Sequence, residues 1–138
     1  MTGAIRLFML CEAATFVAAS LIHSGFLIGG YEHQQARIGE GVIAVVLITG
    51  LVVTWLRPAW TRGVGLAAQG FALLGTLVGI FTIAVGVGPR TVPNIAFHVA
   101  IVVGLVSGLI VAARAQRAQA GSGGQTGVTG SRGPAGAS

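Results

Sequence analysis

Residues 63–87 read GVGLAAQGFALLGTLVGIFTIAVGV, 25 positions without a charged side chain. An α-helix rises 1.5 Å per residue, so about 20 such residues cross the roughly 30 Å hydrocarbon layer of a bilayer. The run lacks the period-two alternation of a barrel strand, and a helix satisfies its own backbone hydrogen bonds in lipid. Three further apolar runs, at 5–29, 38–56 and 92–113, reach or approach the same length. Four transmembrane helices follow.

The rest of the composition agrees. The chain has 138 residues, 54% of them hydrophobic and 8% charged, with a mean hydropathy of +0.87. A soluble domain carries about 25% charged residues, so this chain cannot cover a water-facing surface. The helices are joined by short links at 30–37 (GYEHQQAR), 57–62 (RPAWTR) and 88–91 (GPRT). Short links make consecutive helices antiparallel neighbours. The expected fold is all-α, an up-down-up-down four-helix transmembrane bundle forming a single domain over 1–117. Residues 118–138 (AQAGSGGQTGVTGSRGPAGAS) are Gly/Ser/Ala-rich without apolar periodicity, and they read as a disordered tail.

All eight basic residues are Arg and all three acids are Glu. The pI of about 11.5 invites a nucleic-acid reading. The arginines, however, sit at the ends of apolar runs instead of forming a basic patch, so nucleic acid is not the expected partner. Arg6, Arg57, Arg62, Arg114, Arg117 and Arg132 fall on one side of the membrane, and Arg37 and Arg90 on the other. The positive-inside rule then puts both termini in the cytoplasm of a multi-pass cell-membrane protein. Trp55 and Trp60 suit the inner interface and Tyr31 the outer one. A cleaved signal peptide is opposed by Glu12 and by an apolar run that continues to Ile28. Lone Cys11 excludes an internal disulfide and is expected to be a buried small apolar residue.

Ionisable groups in lipid are costly and by default point to function. His23 lies near the outer end of the first helix, Glu40 near the start of the second and His98 near the start of the fourth. All three therefore belong at one depth, roughly 4–10 Å below the outer boundary, with Glu32 and His33 in the loop above them. Two histidines and a carboxylate form a common first shell for zinc, copper or iron. His33 is the candidate fourth ligand, and Glu32 the acceptor that orients an imidazole. Two histidines on facing helices also suit the axial positions of a haem b. A proton relay is a third use of the same residues. The bland alternatives are hydrogen bonds between helices and a Glu40–Arg37 pair on one helix face.

Glu12 lies deeper. It is eleven residues before His23, on the same helix face and about 16 Å away along the axis. Gln69 sits at matching depth on the third helix. A Glu12–Gln69 hydrogen bond with a neutral carboxyl is one reading; a proton or ion path from Glu12 to His23 is the other.

Small residues recur on the third helix at Gly65, Ala72, Gly79 and Gly86, and GxxxG spacings occur at Gly75/Gly79 and Gly104/Gly108. Such residues let helix backbones approach closely. They also leave room for a flat cofactor. An offset of 58 residues aligns Glu40 with His98 and Thr49-Gly50-Leu51 with Ser107-Gly108-Leu109, a weak internal repeat. The stretch ARIGEGVIAVVLITGL, followed by RPAWTRGVGLAAQGFALLGTLVGIFTIAVGVGPRTVPNIAFH, resembles the small four-helix integral membrane proteins of bacteria that have no assigned function. The resemblance is one of architecture and implies no active residues.

The leading expectation is thus a small membrane protein that binds a metal ion or haem through His23, Glu40 and His98, with a redox accessory or metal-handling role. Two other classes stand beside it. One is a cofactor-free structural subunit of a homo-oligomer or larger membrane complex. The other is a small oligomeric proton-coupled transporter or channel. The sequence does not decide whether the protein is an enzyme.

Overall fold

The structure is a computed structural model that describes residues 1–88 and 90–123, with side chains described through Ala115. Four helices make the fold: α1 (Thr2–His23), α2 (Gln34–Leu56), α3 (Thr61–Ala84) and α4 (Val92–Gly123). A 3₁₀ turn, Pro58–Trp60, links α2 to α3. All four helices are long and apolar enough to cross a membrane. The chain is a multi-pass, all-α membrane protein.

The buried positions explain the packing. On α1 they include Ile5, Met9, Glu12, Phe16 and Ala19. On α4 they are Ile101, Leu105, Gly108, Ala112 and Ala115. Both series advance by alternating steps of four and three, the spacing that sets helices about 20° from antiparallel. Consecutive helices are neighbours, α4 closes back on α1, and α1 also touches α3 across the diagonal. That diagonal approach depends on Gly65: a Cβ there would stand 2.6 Å from Ile5 Cγ2. Large apolar side chains such as Leu74, Phe81, Val99 and Val103 point outward, as expected where the surrounding solvent is lipid.

The helix limits differ from the apolar runs. The run 5–29 predicts a longer first helix, but α1 starts at Thr2 and stops at His23. Gly25, at φ +74°, takes the left-handed backbone that other residues avoid. The chain then makes a loop whose neck is closed by His33 N–H donating to His23 C=O at 3.0 Å, an Ω-type connection. Phe26, Leu27 and Ile28 stay apolar but are exposed on this loop. α2 begins at Gln34, four residues before the expected 38. α3 ends at Ala84 instead of 87, where Arg90 donates from its guanidinium to the carbonyls of Ile83 and Ala84. The fourth helix, expected to end at 113, continues to Gly123 through the strong helix formers of Ala113–Ala120. The tail expected over 118–138 therefore begins as helix, and its residues 124–138 lie outside the described residues.

Candidate functional site

The α1–α2 and α3–α4 connections share one end of the bundle, and the polar cluster lies beneath them. His23 is the last residue of α1, and Glu40 is about two turns into α2. His23 Nδ1 and Glu40 Oε2 are 2.7 Å apart, with both side chains largely buried. A carboxylate only accepts, so Nδ1 carries the proton and donates. In the neutral imidazole, the free lone pair is then on Nε2. The expected Glu40–Arg37 pair does not form, because His23 takes the carboxylate. Ser20 Oγ donates to the Arg37 carbonyl at 3.0 Å and ties α1 to α2 alongside.

His98 reaches the same state by a different partner. Its Nδ1 donates to the Asn94 carbonyl, one turn earlier on α4, at 2.8 Å. Its Nε2 faces α3 over Gly79, where a Cβ would be 3.5 Å from that nitrogen. Phe97 meets the imidazole edge-on, with ring centroids 5.4 Å apart. The two histidines thus share one tautomer, fixed by acceptors of different kinds.

A cavity of about 520 Å³ connects these groups. His23, His33, Glu40 and His98 all line it, with Thr76, Thr82, Asn94 and Gln35 as further polar groups. The remaining wall is mainly apolar: Phe16, Ile43, Phe71, Val78, Ile83, Val87 and Phe97. Gly75 and Gly79 line the α3 side, where Ile43 packs over Gly75 and the His98 ring over Gly79. Its size is that of a small-molecule site, and so is the pattern of few polar groups in an apolar wall. The structure therefore brings together the three residues that the inferred depth placed at one level.

It does not assemble them as a metal shell. Among the described residues, no three of the His, Cys, Asp and Glu side chains form a group able to hold a metal ion. Glu40 is committed to His23. His33 is the N-cap of α2, its Nδ1 accepting from Ala36 N–H at 3.2 Å, which puts its proton on Nε2 and leaves no lone pair for a fourth ligand. Glu32 orients no imidazole. Its carboxylate accepts from Gly30 N–H at 2.9 and 3.1 Å and packs over Gly25. The backbone N–H groups of Glu32 itself and of Gly30 hold this exposed carboxyl below the usual carboxylate range.

Glu12 and Gln69 meet in mid-bundle without the expected hydrogen bond. Both are buried, both approach Gly108 of α4, and none of their side-chain oxygens or the Gln69 nitrogen has a partner. At the opposite end, Arg6 donates to the Thr54 hydroxyl at 3.3 Å and to its carbonyl, and it lies over the Trp55 ring at 4.8 Å. Cys11, expected in the interior, is exposed on the outer surface of α1.

Two contributors escape a reading of titratable residues: the Asn94 carbonyl and Phe16. Asn94 is four residues before His98, the spacing at which a histidine can bond back along its own helix. No protein-family model matches the chain, and neither curated proteins nor solved structures give a match.

Proposed function

We propose that this protein holds a redox cofactor, haem b, in the cavity beneath its two loops, with His23 and His98 as the iron ligands and an accessory electron-transfer role. The carrying observation is that both imidazoles keep Nδ1–H engaged, on Glu40 and on the Asn94 carbonyl. That is the arrangement that turns Nε2 into an oriented ligand. Haem fits this donor set better than a bare zinc, copper or iron ion. A bare ion needs three or four protein ligands, whereas a haem iron would need only one or two from the protein. The apolar wall suits the porphyrin body. When bound, the haem supplies one-electron chemistry. The protein supplies ligand orientation, a Glu40 charge that raises the basicity of His23, and exclusion of water.

The arginine distribution supports an orientation with both termini in the cytoplasm of the cell membrane and the cavity toward the outer face. Among the described residues, five arginines (Arg6, Arg57, Arg62, Arg114 and Arg117) lie toward the helix ends opposite the cavity, and Arg37 and Arg90 lie on the cavity side.

A second reading has an observation of its own. The His23–Glu40 pair joins α1 to α2 with no ligand present, which suits an accessory subunit whose polar groups fix helix packing.

The two separate in one experiment. The full-length protein is expressed with haem precursor, purified in mild detergent, and examined by visible spectroscopy and metal analysis. Haem binding gives a redox-responsive Soret band that His98→Ala and His23→Ala each abolish while helicity is retained. A colourless, metal-free protein that stays so after incubation with haemin removes the cofactor reading and leaves the packing one.

A further inference from the structure

We infer that Glu12 and Gln69 form a binding site for a single proton in the middle of the membrane, apart from the cavity and independent of what the cavity binds. The first observation is burial without partners. Glu12 is 3% exposed and Gln69 0% exposed, and Glu12 Oε1, Glu12 Oε2, Gln69 Oε1 and Gln69 Nε2 all lack hydrogen-bond partners. The second is convergence. A Cβ on Gly108 would lie 2.7 Å from Glu12 Oε1 and 2.5 Å from Gln69 Oε1. Two acceptor oxygens from α1 and α3 thus point into one gap that only a glycine on α4 leaves open. Two acceptor oxygens facing each other in a dry interior stay unsatisfied unless one carries a donor hydrogen, and a protonated Glu12 carboxyl supplies it.

Among the described residues, nothing else on the packed helices provides it. On α1, Arg6 is held by Thr54 and Trp55, Cys11 is exposed, and His23 is paired with Glu40 at the loop end. The ionisable residues of α2 are Arg37 and Glu40, both near its start. α3 carries Arg62 in its first turn. α4 carries His98 in its second turn and, far along the helix, Arg114 and Arg117. Glu12 is about 16 Å along the axis from His23, so the charged cluster at the loop end does not reach it.

The choice between a proton and a metal cation rests on coordination. A hard cation takes six or more oxygens. Here Glu12 and Gln69 offer three, and helix carbonyls are already engaged in the helix. A proton needs one acceptor beyond its carboxyl, and Gln69 Oε1 is that acceptor. Loading is the transfer of H⁺ from water to a Glu12 carboxylate oxygen, with no electron moved. Phe16, one turn along α1, is buried beside this site and also lines the cavity. On the other side, earlier on α1, stand Met9 and Ile5, both fully buried and apolar. Exchange with water therefore runs past Phe16 to the cavity.

The chain has only three acidic side chains, Glu12, Glu32 and Glu40, which makes the test direct. In the full-length E32Q/E40Q variant, reconstituted in phosphatidylcholine vesicles, Glu12 is the sole acidic side chain. Infrared spectroscopy at neutral pH is expected to show a protonated-carboxyl C=O band. Adding E12Q removes it, and Gln69→Leu shifts it to the frequency of a free carboxyl. In the otherwise native chain, E12Q keeps or raises the thermal transition temperature and abolishes its decline at alkaline pH. An ionised-carboxylate band from Glu12 at neutral pH overturns the inference. So does a sodium-dependent rise in transition temperature that E12Q lacks, which assigns the gap to a metal cation.

Discussion

The two polar clusters of this bundle use the same kinds of residue and are built in opposite ways. At the loop end, each histidine has a hydrogen-bond partner, the carboxylate is paired at 2.7 Å, and a cavity of about 520 Å³ opens in front of them. In mid-bundle, a carboxyl and an amide press into the space over a glycine with no partner at all. A paired site with room beside it is equipped to receive a molecule. An unpaired site without room is equipped to hold something no larger than a proton. Phe16 stands between them, packed in the core and also forming part of the cavity wall.

Removing that side chain is the strongest test of the separation. Phe16→Ala should lower the unfolding free energy by about 3 kcal/mol, as buried Phe truncations do, read from denaturant titration in detergent. It should also hydrate Glu12, so that the Glu12 proton exchanges with deuterium faster than in the wild type. A variant with wild-type stability and exchange makes the two clusters one continuous polar region, and the contrast disappears.

The glycines sharpen the comparison next. Gly104 and Gly108 share a GxxxG spacing, but a Cβ at Gly104 meets nothing within 4 Å, whereas one at Gly108 collides with both Glu12 and Gln69. Gly108→Ala should cost about 1–3 kcal/mol through overpacking. Gly104→Ala should be neutral or stabilising by up to about 1 kcal/mol, because the Cβ meets nothing and alanine is the better helix former. Equal effects at the two positions would show that general helix packing, not the polar gap, requires Gly108.

At the loop end the corresponding change is Glu40→Gln. The amide oxygen still accepts from His23 Nδ1–H, so shape and tautomer survive while the charge goes. The expected loss is about 1 kcal/mol, the difference between a charged and a neutral hydrogen bond. In haem-loaded protein the reduction potential rises, because the less basic His23 stabilises ferric iron less. An unchanged potential places Glu40 in helix packing alone.

Much of this was legible in the sequence, for physical reasons that also mark where it stopped. Length and hydropathy dictate four spanning helices because lipid tolerates no other apolar structure of this length. The common depth of His23, Glu40 and His98 follows from topology and the helical rise. The end of α1 did not follow, because Phe26, Leu27 and Ile28 continue the apolar run while Gly25 has already turned the backbone. The local bonds of His33 and Glu32 did not follow either, because a histidine at an N-cap and a carboxylate in a glycine turn serve the nearby backbone, and spacing to distant residues does not show it. The partners that set the two tautomers, a side chain on another helix and a carbonyl on the same one, appear only once the helices are placed.

The smallest expected effect concerns the loop above the cavity. Glu32 accepts from the Gly30 amide, and its pKa is lowered by its own backbone N–H first and by that of Gly30 second. A carboxyl with a folded pKa below its unfolded value contributes stability above the unfolded pKa and loses it as pH falls through the folded one. The 24–33 loop should therefore hold its shape at neutral pH and loosen only below the ordinary carboxylate range. The Gly30 amide resonance in detergent-solubilised, isotope-labelled protein reports this as an upfield shift on acidification. Glu32→Gln should show no such acid step at Gly30, while the His23 and His98 resonances remain as in the wild type. If the histidines shift with Gly30, the loop and the cavity share one conformational equilibrium, and the loop-end cluster is less pre-formed than its hydrogen bonds suggest.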